Sequence, residues 1–202
     1  MTQEEYAKAL CEFVPEEVSS ILTKWIFEYN IHLTISRDRK TKLGDFRINN
    51  RDNLLRISVN GGLNPYAFII TLVHEIAHAV VHIKYRYAKP HGIEWKKEYQ
   101  KLMVEIFARN VFPKDINSAL ANYMRNPKAS SNADKRLYMA LRKYDDNKHN
   151  VTYLQDLEEG AEFILQNRLF RKGKKRRTRF SCIEIGSNRE YTVNALAEVI
   201  IP

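Results

Sequence analysis

Hydrophobic spacing divides the 202-residue chain into helical and extended stretches. Tyr6, Leu10 and Phe13 recur at helical intervals, Pro15 interrupts them, and Val18, Ile21, Leu22, Trp25 and Tyr29 resume, predicting a helix in two pieces over residues 2–29. The period then drops to two. Ile31, Leu33 and Ile35 alternate with His32, Thr34 and Ser36, a second run holds Phe46 and Ile48, and a third holds Leu55, Ile57 and Val59. These runs predict a small antiparallel sheet whose first hairpin turns through the basic loop 37–42. Asn60-Gly61-Gly62 reads as a turn, Asn64 as a helix N-cap and Pro65 as the first helical residue. On the helix that follows, Ile69, Val73, Ile76, Val80 and Ile83 share one face, and Lys89-Pro90 should end it.

Trp95, Tyr99, Leu102 and Ile106 predict another helix, and the helical pattern continues to residue 145 with breaks near Phe112-Pro113 and Asn126-Pro127. Within it Leu120, Tyr123, Met124, Leu137, Met139 and Leu141 read as packing positions. From about residue 146 the pattern changes to short strands over 151–154, 162–165, 178–185 and 190–193, with Gly160, Gly173 and Gly186 at the turns. The chain therefore reads as an α+β protein in three parts: a core over 1–110, a helical extension over 111–145 and a small basic β-domain over 146–202.

Composition adds bounds. With 44% hydrophobic and 28% charged residues, the chain has the make-up of an ordinary globular protein. The start, MTQEEYAKALCEF, lacks the basic and apolar runs of a signal peptide, and no uninterrupted apolar run approaches the ~20 residues of a membrane span. Two separated cysteines, Cys11 and Cys182, suggest a reducing compartment and no disulfide framework. The expectation is a cytoplasmic, monomeric protein with no membrane partner, and the sequon Asn150-Val151-Thr152 has no meaning there.

The chemistry concentrates in LVHEIAHAVVH, residues 72–82. His74 and His78 lie four residues apart, about 40° round the helix from one another, so both imidazoles leave the same side. That spacing suits one Zn²⁺ with a position left open for water. Glu75 flanks the same side and is placed to act as general base. A third ligand is needed. His82 is eight residues, or about 12 Å, from His74 along the helix, too far to share its ion. His91, just ahead of a second helix, can approach from another direction. The candidate metal ligands are therefore His74, His78 and His91, with Glu75 catalytic.

HEIAH followed by HGIEW, with twelve residues between His78 and His91, resembles the SprT-like metallopeptidases, the family of the Spartan DNA–protein crosslink proteases. The resemblance extends from about residue 15 to the C-terminus, with its specific part at residues 72–95. It implies a zincin-like core, one Zn²⁺ per chain and hydrolysis of peptide bonds in protein substrates bound to or crosslinked with DNA. The third ligand of the family falls in its H-G-x-E-[FW] element, here His91, Gly92, Glu94 and Trp95. In many relatives the C-terminal module resembles a zinc ribbon with two cysteine pairs. This chain departs from that pattern, because Cys182 is the module's one cysteine and His149 the nearest histidine, so the resemblance implies a ribbon-like β-shape without its zinc.

The same module holds the densest charge, with eight Lys or Arg in residues 168–179 and no acid. Phe170, Phe180 and Tyr191 interleave with it, which resembles a basic and aromatic face that tracks a nucleic-acid backbone. Arg171, Lys172, Lys174, Lys175, Arg176, Arg177 and Arg179 are the candidate contacts, and the net charge of +9 agrees with such a partner, DNA by resemblance. A solubilising hairpin would carry the same charges. Two other functions compete with the peptidase. One is a nucleic-acid-binding or transcription-associated protein with a mainly structural zinc; the other is a zinc hydrolase acting on something other than protein.

Overall fold

The computed structural model describes residues 1–39, 42–48, 53–85, 87–145 and 152–202, which form two compact units, Met1–Asp146 and Asn147–Pro202. The first unit begins with α1 (Gln3–Leu10), held by a capping box between Thr2 and Glu5, and α2 (Glu16–Glu28), which starts after Pro15. Strands β1 (Ile31–Ser36), β2 (Gly44–Ile48) and β3 (Leu55–Asn60) follow, then α3 (Pro65–Lys84), α4 (Ile93–Phe107), α5 (Lys114–Met124) and α6 (Lys135–Arg142). Residues 111–145 bury Phe112, Ile116, Leu120, Tyr123, Leu137 and Leu141 in the same core as α1 to α4.

The sheet is mixed, not the antiparallel hairpin series expected. Its order is β1-β3-β2, with β1 parallel to β3 and β2 antiparallel to it. Burial matches the order: β3 is mostly buried, with Leu55, Ile57 and Val59 inside, and takes the centre, while β1 and β2 are more exposed and take the edges. Asn60 holds this arrangement. Its side chain donates to Asp38 Oδ1 (3.2 Å) and to the Arg39 carbonyl (2.9 Å) and accepts from the Gly62 N–H (3.0 Å), tying the 37–39 loop to the end of β3. In the basic loop the Arg39 guanidinium donates to Ser58 and Lys42 pairs with Asp45. Lys40 and Thr41 of that loop lie outside the described residues.

Helix α3 begins as expected, with Asn64 accepting from the Ala67 N–H and Pro65 in the first turn. It is not one-faced. Phe68, Ile69, Ile70, Leu72, Val73, Ile76, Ala77, Ala79 and Val80 are all buried, because the sheet and other helices, α4 among them, enclose it. By length and composition it could cross a membrane, but 67% of its apolar window is buried inside the protein, as in a core helix. Ile83, expected on the buried face, is exposed, because the helix runs past the core after Val81. It ends at Lys84, five residues before Lys89, where Tyr85 turns extended and its hydroxyl donates to Glu98 of α4.

The second unit pairs β4 (Thr152–Tyr153) with β9 (Glu198–Val199). Beside them is an antiparallel sheet of β5 (Glu162–Leu165), β6 (Arg168–Arg176), β7 (Arg179–Glu184) and β8 (Glu190–Asn194) in that order. Its core is Leu154, Phe163, Phe170, Phe180, Cys182, Val193, Ala195 and Val199. The charged run 168–176 is itself the longest strand, which periodicity did not predict. Gly160 and Gly186 occupy turns at positive φ, but Gly173 lies inside β6 at a register shift between Lys172 and Lys175. A Cβ at Gly173 would stand 2.7 Å from the Ser181 carbonyl oxygen, so the close approach of β7 requires glycine there. His149, together with Asn150 of the sequon and Val151 of the sequon and the first expected strand, lies outside the described residues.

Candidate metal centre

Two elements deliver the ligands. Helix α3 presents His74 and His78 one turn apart, and the turn before α4 brings in His91. In that turn the Gly92 N–H donates to the Lys89 carbonyl, with Pro90 and His91 between them, and His91 has φ +56°. A proline followed by a left-handed residue is the type II pattern, in which glycine usually takes the second place. A side chain there costs roughly 1–3 kcal/mol, and the fold bears it to aim an imidazole at α3. Gly92 is needed too, since a Cβ would sit 2.9 Å from the Lys89 carbonyl oxygen.

The three Nε2 atoms form a nearly equilateral triangle, with sides of 3.2 Å (His74–His78), 3.0 Å (His78–His91) and 3.2 Å (His91–His74). Each such nitrogen either donates or accepts. Around a triangle two neighbours always share a role, so no set of tautomers satisfies all three contacts. Three lone pairs directed at one cation do. Ligands at about 2.0–2.1 Å in a tetrahedron are spaced by about 3.3 Å, close to what is seen, and these residues could hold a metal ion. Burial and the neighbouring imidazoles lower His74 to about 3 and His78 to about 4, and burial lowers His91. The rings are therefore neutral at pH 7, as ligands must be.

Trp95 backs the triangle. It is fully buried, its ring lies 4.6–5.4 Å from all three imidazoles, and its Nε1–H donates to the His74 carbonyl. Tyr99 stacks on Trp95 and donates to the Ile70 carbonyl. His82 stands apart from the cluster, exposed, with its ring 6.3 Å from Phe46.

Glu75 is buried beside the triangle, and burial together with the charge of Asp45 pushes its carboxyl up to about 8. It lines a cavity of about 340 Å³ with His74, Thr71, Ile70, Tyr99, the 42–45 segment and residues 129–132. Strand β2 roofs this cavity. The Asn60 N–H donates to the Leu43 carbonyl, which by antiparallel alternation leaves the N–H and C=O groups of Gly44, Phe46 and Ile48 on the open edge. Phe46 lies flat over His78, and a Cβ on Gly44 would stand 2.6 Å from Glu75 Oε1 and 2.7 Å from Thr71 Cγ2. Sequence reading missed Gly44, whose signal was a glycine inside a strand.

The basic candidates divide. Lys172 points inward, where its ammonium donates to the Gln155 and Leu157 carbonyls and lies 4.0 Å from the Phe180 ring centroid, so it is not a surface contact. Phe170 and Phe180 are core residues, not a stacking face. Acids absent from the run arrive from neighbouring strands: Glu162 pairs with Arg171, Glu184 with Arg168 and Glu190 with Arg176. Lys174, Lys175, Arg177 and Arg179 remain exposed at the β6–β7 hairpin end without an ion pair among the described residues. Cys182 is buried opposite Lys172 in the strand register, and the His74, His78 and His91 group is the one cluster among the described residues suited to a metal.

A model of the SprT-like family matches residues 16–117, short of the C-terminus to which the resemblance was expected to run. No curated protein and no solved structure matches the chain.

Proposed function

The chain belongs to the SprT-like family, and from that premise we propose that it is a zinc-dependent metallopeptidase with a zincin-like core. The observation that carries the reading is the histidine triangle standing beside a buried glutamate in an open cavity. His74, His78 and His91 would hold the metal. Zinc held there would supply a positive charge that lowers the pKa of a nearby water towards about 7 and favours the ionised form of the Glu75 carboxylate. Glu75 accepts the proton of the attacking water and returns it to the leaving amine. The free edge of β2 binds an extended substrate backbone through Gly44 and Phe46. Gly44 keeps that edge close to Glu75.

The substrates are proteins on nucleic acid, DNA by family likeness, recruited by the cations of the β6–β7 hairpin, Lys174, Lys175, Arg176, Arg177 and Arg179, with Arg171 at its margin. Phosphate contacts by such residues are independent of base sequence. The test is zinc content and cleavage of a DNA-bound basic protein by the full chain, with and without single-stranded DNA, beside Glu75→Gln. One zinc per chain in both proteins, with DNA-stimulated cleavage lost in the variant, is the expected result. Metal-dependent cleavage by Glu75→Gln would remove Glu75 from the reaction. Firm DNA binding with no cleavage under any condition would favour a binding protein with a structural zinc.

A further inference from the structure

Helix α4 is fixed to α3 on either side of the histidine pair. Nearer the start of α3, the Tyr99 hydroxyl donates to the Ile70 carbonyl (3.3 Å) and the Trp95 indole N–H to the His74 carbonyl (3.4 Å). At the far end of α3 one side chain makes the attachment. Glu98, one turn after Trp95 and buried, accepts from the Lys84 ammonium at Oε2 (3.0 Å) and from the Tyr85 hydroxyl at Oε1 (3.2 Å). Ile70 and Lys84 lie fourteen residues, about 21 Å, apart along α3. We propose, on the premise that His74, His78 and His91 hold zinc as in the function above, that Glu98 is a positioning residue for His91. By gripping the end of α3 it sets how α4 lies against that helix, and so where the third imidazole stands.

A buried carboxylate adds little to stability as such, since an apolar side chain of similar volume often serves as well or better. Its advantage is direction. Two hydrogen bonds to separate oxygens define one placement of α4, where apolar contacts alone would let the helix slide or turn. His91 requires such definition. Its φ of +56° is a conformation that persists only where the surroundings hold it, yet in the 85–92 connection to which it belongs Tyr87, Lys89 and Pro90 are exposed. The hold therefore comes through α4, which begins at Ile93, two residues after His91. With the Ile70 and His74 attachments alone, α4 can turn about them and carry His91 with it. Zinc–nitrogen distances tolerate only about ±0.2 Å, so a small turn is enough to weaken the third bond.

The experiment measures the zinc affinity of the full chain by competition with a chelator, beside the Tm of the metal-free protein. Glu98→Met keeps the volume and removes both hydrogen bonds, and the part-exposed Lys84 and Tyr85 turn to water instead. Zinc affinity should fall about 10–100-fold, as when an outer partner of a metal ligand is lost. The metal-free Tm should stay within about 4 °C of wild type, because an apolar side chain replaces the buried charge. Tyr85→Phe deletes one hydroxyl from a part-exposed ring; it should weaken zinc by about threefold or more, and it gives the answer if Glu98→Met does not fold. In a His91→Ala background neither substitution should weaken zinc by more than a further factor of about two, since both act through His91. Unchanged zinc affinity in the two variants, a loss undiminished in the His91→Ala background, or a metal-free Tm that falls in step with affinity would overturn the positioning role. The two readings fail separately. The expected affinities without cleavage of any protein uphold Glu98 and sink the peptidase, whereas wild-type cleavage beside unchanged affinity in Glu98→Met does the reverse.

Discussion

Glu75 and the two α3 histidines are displaced in opposite directions, which sets how the metal-free protein responds to pH. His74 and His78 are lowered to about 3 and about 4, so between those values and about 6.5 the unfolded chain binds protons that the folded one does not. Their contribution to stability is lost as pH falls through that window. Glu75 is raised to about 8 from an ordinary 4.5, so the folded protein retains a proton that the unfolded chain has released, and stability declines as pH rises between the two values. Two groups outweigh one below pH 6.5, so the chelated protein should have its highest Tm near pH 6.5. Glu75→Gln should remove the decline above it. A Tm that is level from pH 6.5 to 8 in wild type would refute this account of Glu75. Gly44→Ala sets a methyl against Glu75 and Thr71. Overpacking of this kind costs about 1–3 kcal/mol, and because the strain falls on Glu75, the proposed base, kcat should drop more than urea stability does.

At the scale of elements, β6 shows what its composition conceals. Eight cations in twelve residues suggest a solvated or nucleic-acid face, yet alternation in a strand must send part of any run inward, and here the inward part includes Lys172. Its stem packs in the core and its ammonium satisfies two backbone carbonyls. Lys172→Met would remove the ammonium's hydrogen bonds to both carbonyls and should destabilise the second unit by roughly 1–3 kcal/mol in urea unfolding. Lys174→Met, on the exposed side, should change it by under about 0.5 kcal/mol. Equal effects would contradict the inward assignment. The same logic reordered the first sheet: β3 is central because it has the most residues to bury, and chain order alone could not reveal that.

For the whole molecule, the charge of +9 acts through what is left after internal pairing. If the hairpin end binds nucleic acid, replacing Lys174, Lys175, Arg177 and Arg179 by Gln should flatten the dependence of log affinity on log salt. The slope falls by about 0.7–0.9 for every phosphate that is no longer neutralised. Lys172→Met should leave that slope unchanged once folded protein is selected. An unaltered slope in the fourfold variant would place the nucleic-acid surface elsewhere.

The sequence by itself determined the local features: the Pro15 break, the Asn64 cap and Pro65 start of α3, and the four-residue step joining His74 to His78. It also carried the H-G-x-E-W element that marked His91. These are legible because capping, proline geometry and helical periodicity act over a few residues. Only the tertiary structure decided the parallel pairing of β1 with β3, the enclosure of α3 on most sides and the early end of that helix at Lys84. It also decided the place of Gly44 against Glu75 and the inward turn of Lys172. Each depends on which surfaces are available to cover an apolar side chain or to pair a charge, and those surfaces come from residues distant in the chain.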